Sequence, residues 1–152
     1  MNLYSESLLV HFRRVEEREK QATNLLSINL NERQICDLEL LLNRAFYPLK
    51  GFMTREEYES VLDCERLPNG FVWPIPICLD LPQSTVEKIS LGQSLGLCDE
   101  EGFLLAILHV TDIWQPDKRR EALQVYGTED DNKHPYVYNL YQKINPYYVG
   151  GN

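Results

Sequence analysis

Gln93-Ser-Leu-Gly-Leu-Cys98, Asp99-Glu-Glu-Gly102 and Phe103-Leu-Leu-Ala-Ile-Leu-His-Val-Thr-Asp-Ile113 follow one another without a break. Two apolar runs flank an acidic turn in which Gly102 supplies a backbone angle that other residues resist. That pattern predicts a β-hairpin. Upstream, Val72 to Leu81 holds Pro74 and Pro76, with Pro82 directly after it. Prolines have no N–H to give a ladder, so this segment is read as a kinked strand with edge or irregular pairing. Downstream, the tyrosine-rich stretch from Tyr136 to Val149 is grouped with the extended segments. It ends in Gly150-Gly151, a pair suited to a flexible domain boundary.

Helical segments fill the remainder. From about Ser5 to Leu26, Leu8, Leu9, Phe12, Val15, Ala22 and Leu25 fall near helical spacing, with Arg13, Arg14, Glu16, Glu17, Arg18, Glu19 and Lys20 on the other side. Asn31-Glu-Arg-Gln34 precedes Ile35, Leu38, Leu41 and Leu42, a capping box that predicts a helix from Glu32 to Asn43. The same logic at Thr54-Arg-Glu-Glu57 and at Ser84-Thr-Val-Glu87 predicts two short helices. A further helix follows Pro116 and Asp117 and stops at Gly127.

The balance of 15 Lys and Arg against 23 Asp and Glu gives a net charge of −8, which repels a phosphate backbone and argues against nucleic acid as partner. No apolar run approaches the roughly 20 residues of a membrane helix, and the N-terminus lacks the order of a signal peptide. A cytoplasmic location is the expectation. Cys36, Cys64, Cys78 and Cys98 form no C-x-x-C pair, and His11, His109 and His134 do not cluster with them, so a metal site is not expected. All four cysteines are read as reduced core or near-core residues. No phosphate-cradling loop or H-E-x-x-H motif is present.

The ordered set Arg33-Gln34-Ile35-Cys36-Asp37-Leu38-Glu39-Leu40, Ala45-Phe46-Tyr47-Pro48-Leu49-Lys50-Gly51-Phe52-Met53, Trp73-Pro74-Ile75-Pro76-Ile77, Gly127-Thr128 with His134-Pro135, and Tyr148-Val149-Gly150-Gly151 carries more information. It resembles the N-terminal domain of ATP sulfurylase (sulfate adenylyltransferase), a PUA-like domain, from about Leu25 to Gly151. The resemblance implies an α+β fold: a mostly antiparallel β-barrel with peripheral short helices. One domain would cover residues 1–152, with an N-terminal helix over residues 1–24. It implies a parent enzyme in which sulfate attacks the α-phosphorus of ATP, releasing pyrophosphate. ATP and Mg would be bound by a catalytic domain that follows, and the family's Gln-x-Arg-Asn-x-x-His motif is not found in this sequence.

No catalytic, cofactor or metal residue is therefore assigned in this chain. Pro48, Leu49, Gly51, Phe52 and Met53 are candidate contacts with the catalytic domain, and equally a tight turn with Phe52 and Met53 filling the core. His134 is a candidate loop contact, either to an anion or to the loop itself. Lys118-Arg119-Arg120 is read as a solvated helix face. Arg44 stands where the family usually has glycine or another small residue. The expected role is to support a sulfurylase catalytic domain, in cis or in trans, with a homo-oligomer possible. The alternative is a stand-alone PUA-like binding module, and RNA binding is the weakest reading because fold analogy does not establish function.

Overall fold

The computed structural model describes residues 25–152. The N-terminal helix implied over residues 1–24 lies outside them, and Leu26, where the helical spacing from about Ser5 was expected to end, opens strand β1 (Leu26–Asn29).

Helix α1 (Glu32–Leu42) begins as its sequence dictates. The Asn31 side chain accepts the Gln34 N–H at 2.9 Å while the Gln34 side chain accepts the Asn31 N–H at 3.0 Å. Helix α2 (Arg55–Cys64) repeats the device with Thr54 and Glu57, and buries Tyr58, Val61 and Leu62. Strand β2 (Leu79–Leu81) emerges from the proline-rich segment as a wholly buried three-residue element. Helix α3 (Gln83–Val86) departs from expectation: it ends where Ser84-Thr-Val-Glu87 was read as the start of a helix. The Pro82 carbonyl accepts from Thr85 and Val86, both at 3.1 Å, so the extended proline rather than a Ser84 side chain sets the start.

Strands β3 (Ser94–Cys98) and β4 (Leu104–Trp114) form the expected antiparallel hairpin, Leu95 facing Leu108 and Leu97 facing Ala106, with Gly102 at φ 91° in the turn. Along β4, Ala106, Leu108 and Val110 are buried while His109 is exposed and meets Ser94 Oγ at 2.8 Å. Helix α4 (Lys118–Tyr126) is capped by Asp117, whose carboxylate accepts the Arg119 and Arg120 N–H groups, and stops at Gly127 with φ 74°. Helix α5 (Pro135–Gln142) corrects the reading of Tyr136 onward as extended. Pro135 sits at its first position, where a missing N–H costs nothing, and Val137 and Leu140 turn inward at helical spacing. Strand β5 (Tyr147–Gly151) closes the chain.

The strand order is β1-β3-β4-β5-β2, with β1 parallel to β3 and the other pairings antiparallel. The α+β class is as expected and three of the four pairings are antiparallel, but among the described residues the sheet is mixed and does not close into the expected barrel. Its edges, β1 and β2, are four and three residues long and do not meet. Prolines on both sides of β2 leave few N–H groups to extend a ladder there. The main core joins Leu30, Leu38, Phe52, Met53, Leu79, Leu95, Leu97, Leu108, Val110 and Val149. The cysteines are free, but Cys36 and Cys64 are exposed rather than core residues.

Arg44, just past the C-cap of α1, holds φ 65°, a left-handed conformation that disfavours any side chain with a Cβ. Arg44→Gly is expected to raise stability by about 0.5–1 kcal/mol. Urea unfolding would show this as a higher midpoint at unchanged slope.

Candidate functional site

The Pro48–Met53 turn is where the chain closes on itself. Leu49, Phe52 and Met53 are buried, Met53 wholly so, and Pro48 and Gly51 are half-buried. Phe52 forms an antiparallel bridge with Gly151, whose N–H donates to the Phe52 carbonyl at 3.1 Å. A Cβ on Gly51 would stand 1.9 Å from the Gly151 carbonyl oxygen, one on Gly150 2.4 Å from that of Met53, and one on Gly151 2.0 Å from that of His109. Gly150 and Gly151 are thus buried strand residues, and their reading as a flexible boundary is corrected. They are glycines because backbone lies on backbone. A cleft of about 290 Å³ opens beside this junction, lined by Pro48, Lys50, Gly51, Thr111 and Asn152 among others.

His134, the remaining candidate, stands elsewhere. It precedes α5, makes no side-chain cap, and lies 5.2 Å from the Tyr126 ring and 5.8 Å from that of Tyr136. Its Nδ1 is buried without a hydrogen-bond partner.

Two buried acids that no sequence motif pointed to tie α1, α2 and α4 to the strands. Asp80 on β2 accepts from Arg33 and Gln34 of α1 through Oδ1, and from the Asn145 backbone N–H and side chain at 2.8 and 3.1 Å through Oδ2. Its backbone carbonyl accepts Gln34 Nε2 at 2.8 Å. Burial pushes its carboxyl up, but the Asn145 N–H and the Arg33 guanidinium reverse that, leaving it below the ordinary 3.8. Glu121 on α4 accepts both the Tyr58 hydroxyl at 2.7 Å and the Tyr148 hydroxyl at 2.8 Å on one oxygen. Burial raises its carboxyl above the ordinary 4.5, and Asp80 adds repulsion, against the two hydroxyls and Lys118. Between the two acids lies a cavity of about 220 Å³ that also touches Cys78, Ile77 and Tyr126. Burial pushes the Cys78 thiol well up, so it is a weak nucleophile.

Two side chains of the run Lys118-Arg119-Arg120 are structural ties rather than a solvated face. Lys118 Nζ donates to the Leu140 and Ile144 carbonyls at the end of α5, and Arg120 pairs with Glu59 and Asp63 of α2. Among the described residues no group of three or more His, Cys, Asp or Glu is placed to hold a metal ion, and no helix is long and apolar enough to cross a membrane.

Because Glu121 binds its proton more tightly when folded, ionising it costs stability as pH rises from 4.5 through the folded value. Glu121→Gln lacks that cost. The stability advantage of the natural chain over Glu121→Gln is expected to be largest below pH 4.5 and to narrow above it, as read by unfolding at a series of pH values. An advantage that grows with pH would contradict this environment.

Fold and site together define a small α+β domain in which a glycine-lined turn grips the C-terminal strand and buried acids tie the helices to the sheet edge. A family model described as PUA-like domain matches residues 5–152, and the chain belongs to that family. Sulfate adenylyltransferase from Kluyveromyces lactis is 45% identical over 131 residues, covering 86% of this chain and 26% of the relative. The enzyme of the same name from Aspergillus fumigatus is 43% identical over 141 residues, covering 91% and 24%. That of Schizosaccharomyces pombe is 44% identical over 138, covering 90% and 28%. The chain thus spans about a quarter of the length of the curated relatives it matches. A solved structure, "Hexameric APS kinase from Thiobacillus denitrificans", superposes with a TM-score of 0.62 at 38% identity, over 66% of this chain and 20% of that one.

Proposed function

We propose that this chain is the N-terminal domain of a sulfate adenylyltransferase and packs against the enzyme's catalytic portion, supporting its assembly. The observation that carries this reading is the 43–45% identity to three such enzymes across most of this chain but only a quarter of theirs. The geometry supports it. Glu121 is spent on the Tyr58 and Tyr148 hydroxyls and Arg120 on Asp63, and Gly51, Gly150 and Gly151 lie against backbone carbonyls of the chain itself. In this reading ATP and a divalent metal are bound by the enzyme's catalytic portion. A relative titled as hexameric supports the assembly role.

The expected result is that this chain, given ATP, sulfate and Mg, releases no pyrophosphate. Sustained sulfate-dependent release would overturn the assignment of the chemistry to another part of the enzyme.

A further inference from the structure

Four aromatic rings gather at one surface as two edge-on pairs. Phe46 meets Trp73 with centroids 5.7 Å apart and Tyr47 meets Phe71 at 6.3 Å. The inner pair is half-buried, while Tyr47 is 69% and Phe71 51% exposed. Large aromatics left in water at neighbouring positions are the usual mark of a contact surface.

The charge around them is the reverse of the whole chain's. The segments 43–53 and 65–73 carry Arg44, Lys50 and Arg66 against Glu65 alone, in a chain whose net charge is −8. Arg44 and Lys50 form no ion pair among the described residues, and Arg66 is tied to the turn before Phe71 by donating to the Gly70 carbonyl at 2.9 Å. The two segments of chain that carry the aromatic rings are thus net positive.

Its complement stands at the tip of the β3–β4 hairpin. Phe103 is 67% exposed and directly follows Asp99-Glu100-Glu101-Gly102. The tip is held in shape by the Asp99 N–H on the Phe103 carbonyl at 3.0 Å and by Asp99 Oδ1, which accepts the Phe103 N–H at 2.9 Å and that of Glu101 at 3.0 Å. Phe103 is therefore a pre-ordered apolar knob with three acids beside it, opposite in charge to the segments that carry the exposed rings. We infer that the patch around Tyr47 and Phe71 binds the Asp99–Phe103 hairpin tip of a second copy of this chain.

Knob and patch are different surfaces, so the contact is head-to-tail and builds rings or open chains rather than an isologous dimer. A contact of this small size belongs to weak, transient association. This inference is independent of the sulfurylase reading.

The test is sedimentation equilibrium of the purified chain from low micromolar to several hundred micromolar, with circular dichroism confirming folding. The natural chain is expected to self-associate, more weakly at high salt. Phe103→Ser, and Tyr47→Ser with Phe71→Ser, are each expected to weaken association at least about tenfold. Mixing the two variants should restore a heterodimer and nothing larger, because the mixture holds one intact knob and one intact patch. A natural chain that stays monomeric throughout would overturn the inference. So would variants that fail to complement, or a patch whose loss abolishes binding to a full-length sulfate adenylyltransferase while self-association is unchanged.

Discussion

Gly51→Ala is expected to remove a large part of the stability of this chain. Gly51 is not at a positive φ, so the cost is not conformational: the added methyl would stand 1.9 Å from the Gly151 carbonyl oxygen and 2.6 Å from the Asn152 Cα. A core methylene too many costs about 1–3 kcal/mol when side chains can shift. Here the obstacle is backbone, and moving it breaks the Gly151–Phe52 hydrogen bond and the paired bonds of 2.9 and 3.3 Å between His109 and Asn152. The expected loss is about 4 kcal/mol or more, against the roughly 5–15 kcal/mol that holds a domain together. Gly102→Ala serves as the control. It stands at φ 91° with open space where a Cβ would go, so only the backbone penalty applies, about 1 kcal/mol. Urea unfolding of both variants separates the two causes. Equal, small losses would mean that the turn and β5 are not rigidly apposed.

The same contrast explains which features could be read from sequence. The capping boxes at Asn31 and Thr54 and the Asp99–Gly102 turn are decided by residues three or four positions apart, and they fold as their patterns imply. Gly150 and Gly151 looked flexible because a glycine's use depends on what lies against it, and that is the carbonyls of Met53 and His109, far away in the chain. Asp80 and Glu121 carry no signal in the sequence, since nothing local announces partners 46, 47 and 65 residues away, or 27 and 63. Helix α5 was missed because tyrosines favour strands while Pro135 at its first position reads as a breaker. The open sheet was missed because ring closure depends on whether β1 and β2 meet, which no local pattern encodes.

Asp80→Ala is expected to cost about 3–5 kcal/mol, the range for breaking a buried charge pair from one side. Asp80 is 1% exposed and is the common acceptor for α1, through Arg33 and Gln34, and for the Asn145 segment leading into β5. Its loss leaves Gln34, 4% exposed, and the Asn145 N–H without their carboxylate. Arg33, 44% exposed in its side chain, can turn back to water, which puts the cost nearer the lower end. Because the Asp80 carboxyl lies below 3.8 in the fold, its contribution is fully present above that pH and is lost as pH falls through the folded value. Asp80→Asn keeps the shape and removes the titration, so its stability should fall less steeply in acid than that of the natural chain. A double-mutant cycle of Arg33→Gln with Asp80→Asn isolates the charge pair from the rest of the network. Coupling near zero with a large Asp80→Ala loss would assign the hub's value to the neutral donors Gln34 and Asn145. Negligible loss in every variant would mean that β2 is held to α1 and β5 by its apolar contacts alone.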